Sequence, residues 1–568
     1  MRYTVLASDY DGTMAHHDRV AQGTVEALVR VRKTGRKLIL VTGRQLEDLQ
    51  RVFPRLDVFD RAVVENGAVL YTPATGDIRA LVDPPPPELV RALQHKGVSP
   101  LAAGHVIVAT WTPNETKVLE AIKEIGLELQ VTFNKGAVMV LPTGVNKGTG
   151  LEAALDDLGM SPHNCVAIGD AENDHAFLTV SECAVAVSNA LPALKEHADI
   201  VTRGAHGDGV TELIARLIES DLADVDLRHH ELMIGTAGDG SDVRLPAYCR
   251  GVMVAGPSGS GKSTIATTIL ERLAAAGYQF CLLDPEGDYE ECEPAIVLRG
   301  GAIDVMVEEA LDVLAKPSNH AVINVVDLAM HDRPLFFERL FPRLQELRAR
   351  CGRPHWIIVD EVHQFLPAGW ARTEITLPPK TYGLLMITAY PDRVASSVLS
   401  LADMAIVLGP NPSTTLGPIG RSAGKGPPLK DVPVDLPPGE ALEWRVGSPS
   451  TLRFTVAPPR SERRRHRKKY AEGEIVDYRS FYFRGPEGKM NLRVHNLSLF
   501  VQVAEGIDAE TWMFHLRQRD YSRWFREVIK DEALAAEVAL VEEDDRLSPG
   551  ESRVRICLAV TNRYTAPA

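Results

Sequence analysis

Short apolar runs alternate with amphipathic stretches over roughly the first 220 residues. The runs YTVLASD, KLILVTG, RAVVENG and NCVAIGD predict buried strands, and the stretches between them have the spacing of helices. Such alternation is typical of a mostly parallel α/β sheet. We therefore predict one α/β domain over residues 1–222.

The alternation is interrupted after its third run. DPPPPELV contains four prolines in a row, which continue neither a helix nor a strand. A small β/α set follows, with HVIVATW, a helix from about 114 to 125, LELQVTF and AVMVLP. These segments predict an inserted α/β cap at about residues 83–142.

A second α/β series follows, and the pattern then changes twice. GVMVAG, QFCLLDPEGD, AVINVVDL, HWIIVDE, YGLLMITA and MAIVLG predict a parallel sheet within a domain spanning residues 223–415. Proline, glycine and basic residues then predict a linker over 416–470. In the predicted helical accessory domain at 471–568, aromatic residues recur near helical spacing, which is typical of a core. They are Trp512, Phe514, Tyr521, Trp524 and Phe525.

Composition narrows the class of protein. The 568 residues allow about three or four domains, and 45% hydrophobic with 24% charged residues is ordinary for a globular chain. The sequence has no apolar run long enough for a membrane helix and no secretory signal at its start, so a cytoplasmic protein is expected. Seven scattered cysteines indicate reduced packing residues. The net charge of −14 argues against a DNA-coating protein, although RSERRRHRKK at 460–469 is locally basic.

Two aspartates follow the first predicted strand. SDYDGT places Asp9 and Asp11 two residues apart at the carboxyl end of that strand, where open α/β sheets bind ligands. One carboxylate can attack phosphorus, and the other can protonate the leaving oxygen and later deprotonate water. The next strand ends in VTGR, which supplies Thr42 to hydrogen-bond the transferring phosphoryl group.

Two later motifs complete this set. GVNKGTG offers Lys147 as a cationic clamp, and GDAENDHAF offers Asp170 and Asp174 as ligands for a hard cation, with Asn173 between them. Mg²⁺ fits, since it binds one or two carboxylates together with phosphate oxygens and water. Each motif alone is equally explained by a turn, a loop, a surface charge or a helix cap. All four in this order, each at a strand end, indicate a phosphate-transfer site.

The four motifs resemble the haloacid dehalogenase superfamily of phosphatases over about residues 1 to 220. A cap between VTGR and NKG, together with ENGA at 65–68, resembles the Cof-type branch, many of whose members hydrolyse small sugar or metabolite phosphates. The resemblance implies a Rossmann-like core with Asp9 as nucleophile and Asp11 as acid and base. The cap would close over the substrate and determine its choice.

The same resemblance implies ligand sets. Mg²⁺ would be held by Asp9, the Asp11 backbone carbonyl and Asp170, supported by Asp174. Residues expected to contact a small phosphorylated substrate are Gly43, Arg44 and Asn173. His16 and His17 follow the first motif, but adjacent histidines on a loop are more typical of a solvated surface.

A second phosphate-binding motif lies in the middle of the chain. GPSGSGKST at 256–264 fits G-x-x-x-x-G-K-[ST], follows a predicted strand and precedes a helix, so its backbone N–H groups would cradle phosphates. Lys262 would reach the β- and γ-phosphates of ATP, Ser263 would bind Mg²⁺, and Glu361 in HWIIVDE would polarise water. The predicted nucleotide-binding residues are Gly256, Gly259, Ser260, Gly261, Lys262, Ser263, Thr264 and Asp360.

Strand order favours ATP hydrolysis over a kinase reaction. Two apolar runs separate the loop from Asp360, and the adjoining Glu361 is typical of additional-strand ATPases with a RecA-like fold. LLDPEGDYE and VDEVHQFLP resemble the HerA/FtsK-like branch, known for hexameric DNA translocases and pumps, over about 228–415.

The sequence departs from that branch in two places. MITAYPDR places Thr388 and Ala389 where those motors often carry a polar sensor, commonly glutamine. A phosphatase also precedes the loop, in place of the barrel-like domain of HerA-type proteins. Arg393 and Arg421 are candidates for an arginine finger that reaches a neighbouring subunit, although most loop arginines are solvated.

The sequence thus predicts a bifunctional, Mg²⁺-dependent phosphomonoesterase joined to a P-loop ATPase. One alternative is a protein that processes nucleic-acid ends or translocates DNA, with nucleic acid as a less favoured partner than a small phosphate ester. Another is a phosphatase gated by ATP. A homo-oligomer through the ATPase domain is left open, and no membrane partner is expected.

Overall fold

The computed structural model describes residues 1–134, 136–225, 227, 230–290, 292–369, 378, 381–426, 428, 430, 432–460, 475, 480–529 and 531–565. Apart from Arg460, the basic run at 460–469 lies outside these residues. Among the described helices, none combines the length and apolar character needed to cross a bilayer.

The chain begins with parallel strands separated by helices. The side chains of the first strand, VLASD, are all buried, as expected for a central strand covered on both faces. It pairs in parallel with the second strand, with Asp9 opposite Val41. The elements of this part are β1 (Val5–Asp9), α1 (Gln22–Lys33), β2 (Lys37–Val41), α2 (Leu46–Val52), β3 (Arg61–Val64), β4 (Val69–Thr72) and β5 (Asp77–Ala80).

A four-stranded antiparallel sheet forms the cap, with strand order β6-β7-β9-β8. Its elements are α3 (Pro87–His95), β6 (Leu101–Ala103), β7 (Val108–Trp111), α4 (Glu115–Ile125), β8 (Leu129–Asn134) and β9 (Ala137–Pro142). Val108, Val138 and Val140 share a hydrophobic cluster with apolar side chains of the two helices. The strand predicted from residue 105 begins only at Val108, because the N–H groups of 105–107 bind a side chain of the core.

The chain then returns to the first sheet. The remaining elements are α5 (Lys147–Asp157), β10 (Cys165–Gly169), α6 (His175–Val180), β11 (Cys183–Ala186), α7 (Pro192–His197), β12 (Ile200–Val201) and α8 (His206–Ser220). The completed order is β12-β11-β10-β1-β2-β3-β4-β5. Because β10 lies beside β1, acidic residues that follow these two strands meet at one edge of the sheet. The predicted α/β architecture is confirmed, while the antiparallel β4–β5 hairpin was not anticipated.

The second sheet has eleven strands in the order β14-β13-β23-β22-β21-β15-β20-β19-β16-β18-β17. Its elements up to the last predicted strand are β13 (Glu231–Ala237), β14 (Asp242–Pro246), β15 (Gly251–Ala255), α9 (Lys262–Ala275), β16 (Phe280–Asp284), β17 (Ile296–Arg299), α10 (Ile303–Ala315), β18 (Ala321–Asn324), α11 (Arg333–Cys351), β19 (Trp356–Val359), β20 (Leu384–Thr388), α12 (Ser396–Leu399) and β21 (Ala402–Leu408). Strand β20 lies between β15 and β19 and pairs with both in parallel.

The described part of the segment predicted as a linker carries regular structure. It forms α13 (Pro412–Ser422), β22 (Glu440–Arg445) and β23 (Leu452–Val456). Strand β22 pairs antiparallel with β21, and β23 joins it to β13. The second sheet therefore extends past residue 415, because apolar side chains such as Leu442 and Trp444 are buried in its core despite the surrounding prolines and glycines.

The C-terminal region is mainly helical, as predicted. Its elements are β24 (Phe481–Phe483), β25 (Leu492–Val494), α14 (Leu497–Gly506), α15 (Ala509–Arg517), α16 (Asp520–Glu527), α17 (Glu532–Glu542) and α18 (Pro549–Val560). Trp512, Tyr521, Trp524 and Phe525 are buried in one cluster, whereas Phe514 is half-buried.

A buried carboxylate joins the two α/β bodies. Glu182, just before β11, accepts hydrogen bonds from Arg2 at 2.7 Å and from the Tyr278 hydroxyl at 2.9 Å. His163 Nδ1 lies 2.8 Å from the same carboxylate, and its Nε2 lies 2.7 Å from the carbonyl of Ala276, which follows α9. Nε2 of His163 thus contacts the C-terminal end of α9, the helix that begins at Lys262 in the GPSGSGKST motif.

A second set of contacts lies beside it. His355, directly before β19, places Nε2 3.1 Å from Asn164 Oδ1, and Arg353 donates to the Gly159 carbonyl at 2.8 Å. The Asn164 amide also lies 3.4 Å from the Gly352 carbonyl. The loops that lead into β10 and β19 therefore contact each other directly.

Candidate active sites

One buried lysine links two carboxylates at the edge of the first sheet. Lys147 Nζ lies 2.6 Å from Asp9 Oδ1 and 2.6 Å from Asp174 Oδ1. Helix α5 begins at Lys147 because the Asn146 side chain caps it, accepting the N–H groups of Gly148 and Thr149. The cap fixes the lysine at the first turn, directly beside the end of β1.

Gly67 is required for this packing. Its φ is +104°, and a Cβ atom there would lie 1.9 Å from the Asn146 carbonyl oxygen. The ENGA loop can therefore pass over the start of α5 only with glycine at this position.

Asp170 completes a cluster of three acids. Carboxylate oxygens of Asp9, Asp170 and Asp174 lie within 4.8 Å of one another. Thr13 donates to Asp170 Oδ1 at 3.0 Å, and Asp174 Oδ2 accepts the N–H groups of Asp170 and Ala171. A compact set of carboxylate oxygens fits Mg²⁺, which Asp9 and Asp170 would hold, while Asp174 binds the backbone of the loop.

The charges of this cluster are strongly coupled. Burial and the Asp174 carboxylate raise the pKa of Asp9 well above its ordinary value, while Lys147 opposes that effect. Burial lowers the pKa of Lys147, but Asp174 and Asp9 outweigh it, so the net pKa of the lysine is raised. A divalent cation would reduce the repulsion among the carboxylates and favour the ionised nucleophile.

Asp11 occupies a different environment from Asp9. Arg44 Nε donates to Asp11 Oδ2 at 2.8 Å, and Arg44 Nη2 donates to Oδ1 at 2.6 Å. The same guanidinium binds Asp48 at 2.6 Å and also Asp18. The Asp11 side chain is thus held apart from the three clustered carboxylates, at the mouth of the site.

The remaining predicted residues lie around this edge. Thr42 is fully buried, and its Oγ1 accepts the Arg44 N–H at 3.2 Å. Asn173 Nδ2 donates to Asn66 Oδ1 at 3.3 Å. Gly43 lies in the wall of a cavity together with Asp11 and Arg44.

That cavity, of about 530 Å³, lies between the core and the cap. The core wall also includes Gln45 and Asp48, and the other wall is the sheet of the cap. Pockets of this size accommodate ligands of up to drug-like dimensions, roughly 300–1,000 Å³. The cavity places Asp11 and Arg44 opposite the sheet of the cap.

Glu65 was not identified from the sequence as a structural anchor. Its buried carboxylate accepts backbone N–H groups of His105, Val106 and Ile107, each at 2.8 to 2.9 Å. The residue has a φ of +53°, in the left-handed region. One core side chain therefore holds the cap loop at residues 105–107. This contact joins residues about 40 positions apart, so the local sequence does not indicate it.

The GPSGSGKST loop lies between β15 and the start of α9, the strand and helix that its sequence context predicts. Gly261, with a φ of +100°, turns the chain into α9, which begins at Lys262 and carries Ser263 and Thr264 in its first turn. A Cβ atom at Gly256 would lie 2.4 Å from the Leu408 carbonyl oxygen, so the loop requires glycine there. The Ser260 hydroxyl is buried with no hydrogen-bond partner in the described structure, which fits a loop arranged for phosphate oxygens.

Two acids, Asp360 and Glu361, follow β19 at the edge of the sheet where β15 also ends. Burial, and next the neighbouring Glu361, raise the pKa of Asp360 well above its ordinary value. Glu361 has a φ of +43°, and its Oε2 accepts the Ala389 backbone N–H at 3.3 Å. Bound Mg²⁺ would reduce the electrostatic repulsion between the ionised Asp360 and Glu361, so the arrangement fits a nucleotide–metal complex.

The sensor position contains a contact that the sequence did not reveal. His363 Nδ1 lies 3.3 Å from Glu361 and 3.1 Å from Thr388 Oγ1. At the position where related motors often carry a glutamine side chain, Ala389 donates its backbone N–H to Glu361. Of the arginine-finger candidates, the Arg393 guanidinium lies over the Tyr390 ring at 4.3 Å, and Arg421 lies in the last turn of α13.

Fold and site together define a phosphate-handling enzyme with two α/β domains, one capped and one with a P-loop. Residues 6–83 and 104–214 match the family of haloacid dehalogenase-like hydrolases, and 233–349 match the central domain of helicase HerA. The chain belongs to the haloacid dehalogenase-like hydrolase family, and its second domain is a HerA-type P-loop ATPase domain.

Several archaeal proteins resemble the first domain. Phosphoglycolate phosphatase of Methanothermobacter thermautotrophicus is 33% identical over 224 residues, covering 38% of this chain and 98% of that protein. The Halorubrum lacusprofundi phosphoglycolate phosphatase is 32% identical over 227 residues, covering 37% and 96% respectively. A solved haloacid dehalogenase-like hydrolase from Bacteroides thetaiotaomicron is 19% identical with a TM-score of 0.34, covering 38% of this chain and 99% of that one.

Proposed function

We propose that the first domain is a Mg²⁺-dependent phosphomonoesterase that acts through an aspartyl-phosphate at Asp9. The observation that carries this proposal is the contact of Lys147 with both Asp9 and Asp174, beside Asp170. Mg²⁺ held by Asp9 and Asp170 would offset negative charge between the enzyme and the phosphate group. The substrate is a small organic phosphate monoester, and the names of the archaeal relatives make phosphoglycolate the reference compound.

The side chains of the site then have defined roles. Lys147 holds Asp9 Oδ1, and Asp9 Oδ2 attacks phosphorus, which forms the acyl phosphate while the bond to the alcohol breaks. Asp11 gives its proton to the departing alkoxide. In the second step Asp11 takes a proton from water, and the resulting hydroxide attacks phosphorus. The bond between phosphorus and Asp9 then breaks, which releases inorganic phosphate and restores the Asp9 carboxylate. Arg44 binds both oxygens of Asp11 and thereby orients this carboxyl group.

The test is release of inorganic phosphate from a set of small monoesters, including phosphoglycolate, by the full chain with Mg²⁺. Asp9→Asn should lower the turnover by on the order of 10⁴-fold or more, since it removes the nucleophile while keeping its shape. Lys262→Ala is the matched control and should abolish ATP hydrolysis while leaving phosphate-ester turnover measurable. Undiminished release by Asp9→Asn would contradict the proposal.

A second candidate, an ATP-gated phosphatase, is favoured by the contact of His163 with the end of α9. Helix α9 begins at Lys262, and β10, which ends next to Asp170, begins two residues after His163. Nucleotide binding that shifts α9 would therefore act on the segment that positions Asp170. Phosphatase kinetics with and without a non-hydrolysable ATP analogue, in wild type and Lys262→Ala, test this link. An analogue effect that persists in Lys262→Ala, or no effect at all, would rule it out.

A further inference from the structure

The wall that the cap presents to the cavity is almost entirely apolar. Strand pairing aligns Ala102 with Ala109, Ala109 with Met139, and Trp111 with Ala137. All five residues line the cavity, so this face of the cap sheet is turned toward the core. The alternate residues, such as Val108 and Val138, belong to the cluster with the cap helices.

Thr110 is the hydroxyl-bearing residue among the described lining residues of the cap, and it pairs with Val138, whose side chain packs against the cap helices. The Thr110 hydroxyl donates to the Pro100 carbonyl at 2.6 Å and accepts from Asn114. Farther out on the face that lines the cavity, Gln130 donates to Thr132 at 3.4 Å. Among the described lining residues, the cap therefore contributes no charged side chain to the leaving-group end of the cavity.

The charges on the opposite wall do not favour an anionic leaving group. Asp11 and Asp48 line the cavity together with Arg44, and the guanidinium binds both of these carboxylates as well as Asp18. A second carboxylate on the substrate would have to displace one of these partners and lie beside the others. Trp111, with 53% of its surface exposed, instead offers a large aromatic contact.

We propose that this cavity selects phosphate monoesters whose alcohol is uncharged and has an apolar or aromatic body, over carboxylate-bearing esters such as phosphoglycolate. The inference rests on the proposed phosphatase activity at Asp9 and specifies its substrate class. Trp111 is the residue that determines the preference for an aromatic body. The volume of about 530 Å³ leaves room for a ring beyond the phosphate.

A set of alkyl phosphate esters distinguishes the effect of a charge on the alcohol from the effect of its size, because the P–O bond that breaks is of the same type in all of them. The full chain with Mg²⁺ is assayed on 2-phenylethyl phosphate, its 4-carboxyphenyl analogue, ethyl phosphate and phosphoglycolate. We expect kcat/KM for 2-phenylethyl phosphate to exceed that for its carboxylated analogue by about 10-fold or more, and ethyl phosphate to exceed phosphoglycolate. A higher kcat/KM for phosphoglycolate than for 2-phenylethyl phosphate would overturn the inference.

Two variants identify the surface responsible. Trp111→Ala should lower the ratio of kcat/KM for 2-phenylethyl over ethyl phosphate by about 10-fold. Phe133→Ala removes an equally exposed aromatic side chain, outside the described cavity lining, and should leave the ratio unchanged. A Trp111→Ala ratio equal to that of wild type would overturn the assignment of Trp111.

The same assay distinguishes the two proposals. If Asp9→Asn abolishes turnover while carboxylated esters are preferred, the phosphatase stands and the substrate class fails. If no ester is hydrolysed, or Asp9→Asn hydrolyses them as fast as wild type, both proposals fail.

Discussion

Lys147 neutralises part of a charge that the fold itself concentrates. The carboxyl ends of two adjacent parallel strands, β1 and β10, bring Asp9, Asp170 and Asp174 to one buried place, and only compensating positive charge makes such a cluster tolerable. The lysine is 2% exposed, so little water screens its contacts. Stability and chemistry therefore depend on the same ammonium group.

Lys147→Gln should accordingly destabilise the metal-free protein by about 3–5 kcal/mol, because it leaves buried carboxylates without their cation. Added Mg²⁺ should raise the melting temperature of the variant more than that of wild type, since the metal replaces part of the lost charge. Thermal unfolding with and without Mg²⁺ measures both effects. An equal Mg²⁺ shift in the two proteins would show that the cation does not bind among these carboxylates.

Residues could be predicted where a local motif encodes the chemistry. Asp9 ends a strand, Asp170 follows one and Lys147 begins a helix, so their places at strand and helix ends predict that they meet at one edge of the sheet. His363 and Glu65 could not be predicted in this way. Each acts through a partner at a distance along the chain, Thr388 for the histidine and the loop before β7 for the glutamate.

At the scale of elements, a single core residue holds the cap loop between β6 and β7. The N–H groups of 105–107 donate to Glu65, and a Cβ atom at Gly104 would lie 2.5 Å from that carboxylate. The loop is thus shaped around the side chain. The orientation of β7, and with it Trp111, follows from this anchor.

Glu65→Gln should loosen the cap loop at residues 104–107. The amide replaces one acceptor oxygen with a donor, and each backbone N–H left without a partner costs about 1–3 kcal/mol. Hydrogen exchange at residues 104–107 should become faster, and KM for small esters should rise. Glu88→Gln, an exposed substitution on α3, is the control. Unchanged exchange at 104–107 would mean that other contacts hold the loop.

Long apolar runs predicted the central strands of both sheets, but not the sheet edges. Strands β22 and β23 lie among prolines and glycines and contain few apolar residues, so their sequence predicts a linker. In the structure they pair with β21 and β13. Tertiary pairing decides such segments, and local composition cannot. The strands β15, β19 and β20 were predicted because each is a continuous apolar run, whereas the position of β20 between the other two is seen only in the structure.

At the scale of the whole molecule, the two α/β domains meet through a charged contact inside their interface. Glu182 is 1% exposed and receives donors from both domains. Burial raises the pKa of Glu182, but the hydrogen bond from His163 and nearby positive charges outweigh it, so the net pKa is lowered. The ionised form is therefore the one that holds the interface.

The sign of the pH effect follows from that shift. A carboxyl whose folded pKa is lowered adds stability above its unfolded pKa of about 4.3, and this stability disappears as pH falls through the folded pKa. The melting temperature of wild type should thus fall between about pH 5 and 3. Glu182→Gln should melt lower at pH 7 and vary less with pH in that window.

Glu219→Gln, an exposed substitution on α8, provides the matched control for this experiment. Its melting curve should follow wild type at every pH. If Glu182→Gln retains the full acid dependence of wild type, other carboxyl groups are responsible for it.

The buried pairing at Glu182 also bears on how such a chain can change over evolutionary time. A recombination event that replaced either domain would leave the other with half of a contact: an acid without Tyr278, or a helix end without His163. Exchange of modules would then require matched changes on both sides at once. The two halves are therefore expected to be inherited and to diverge together, as a single unit of selection.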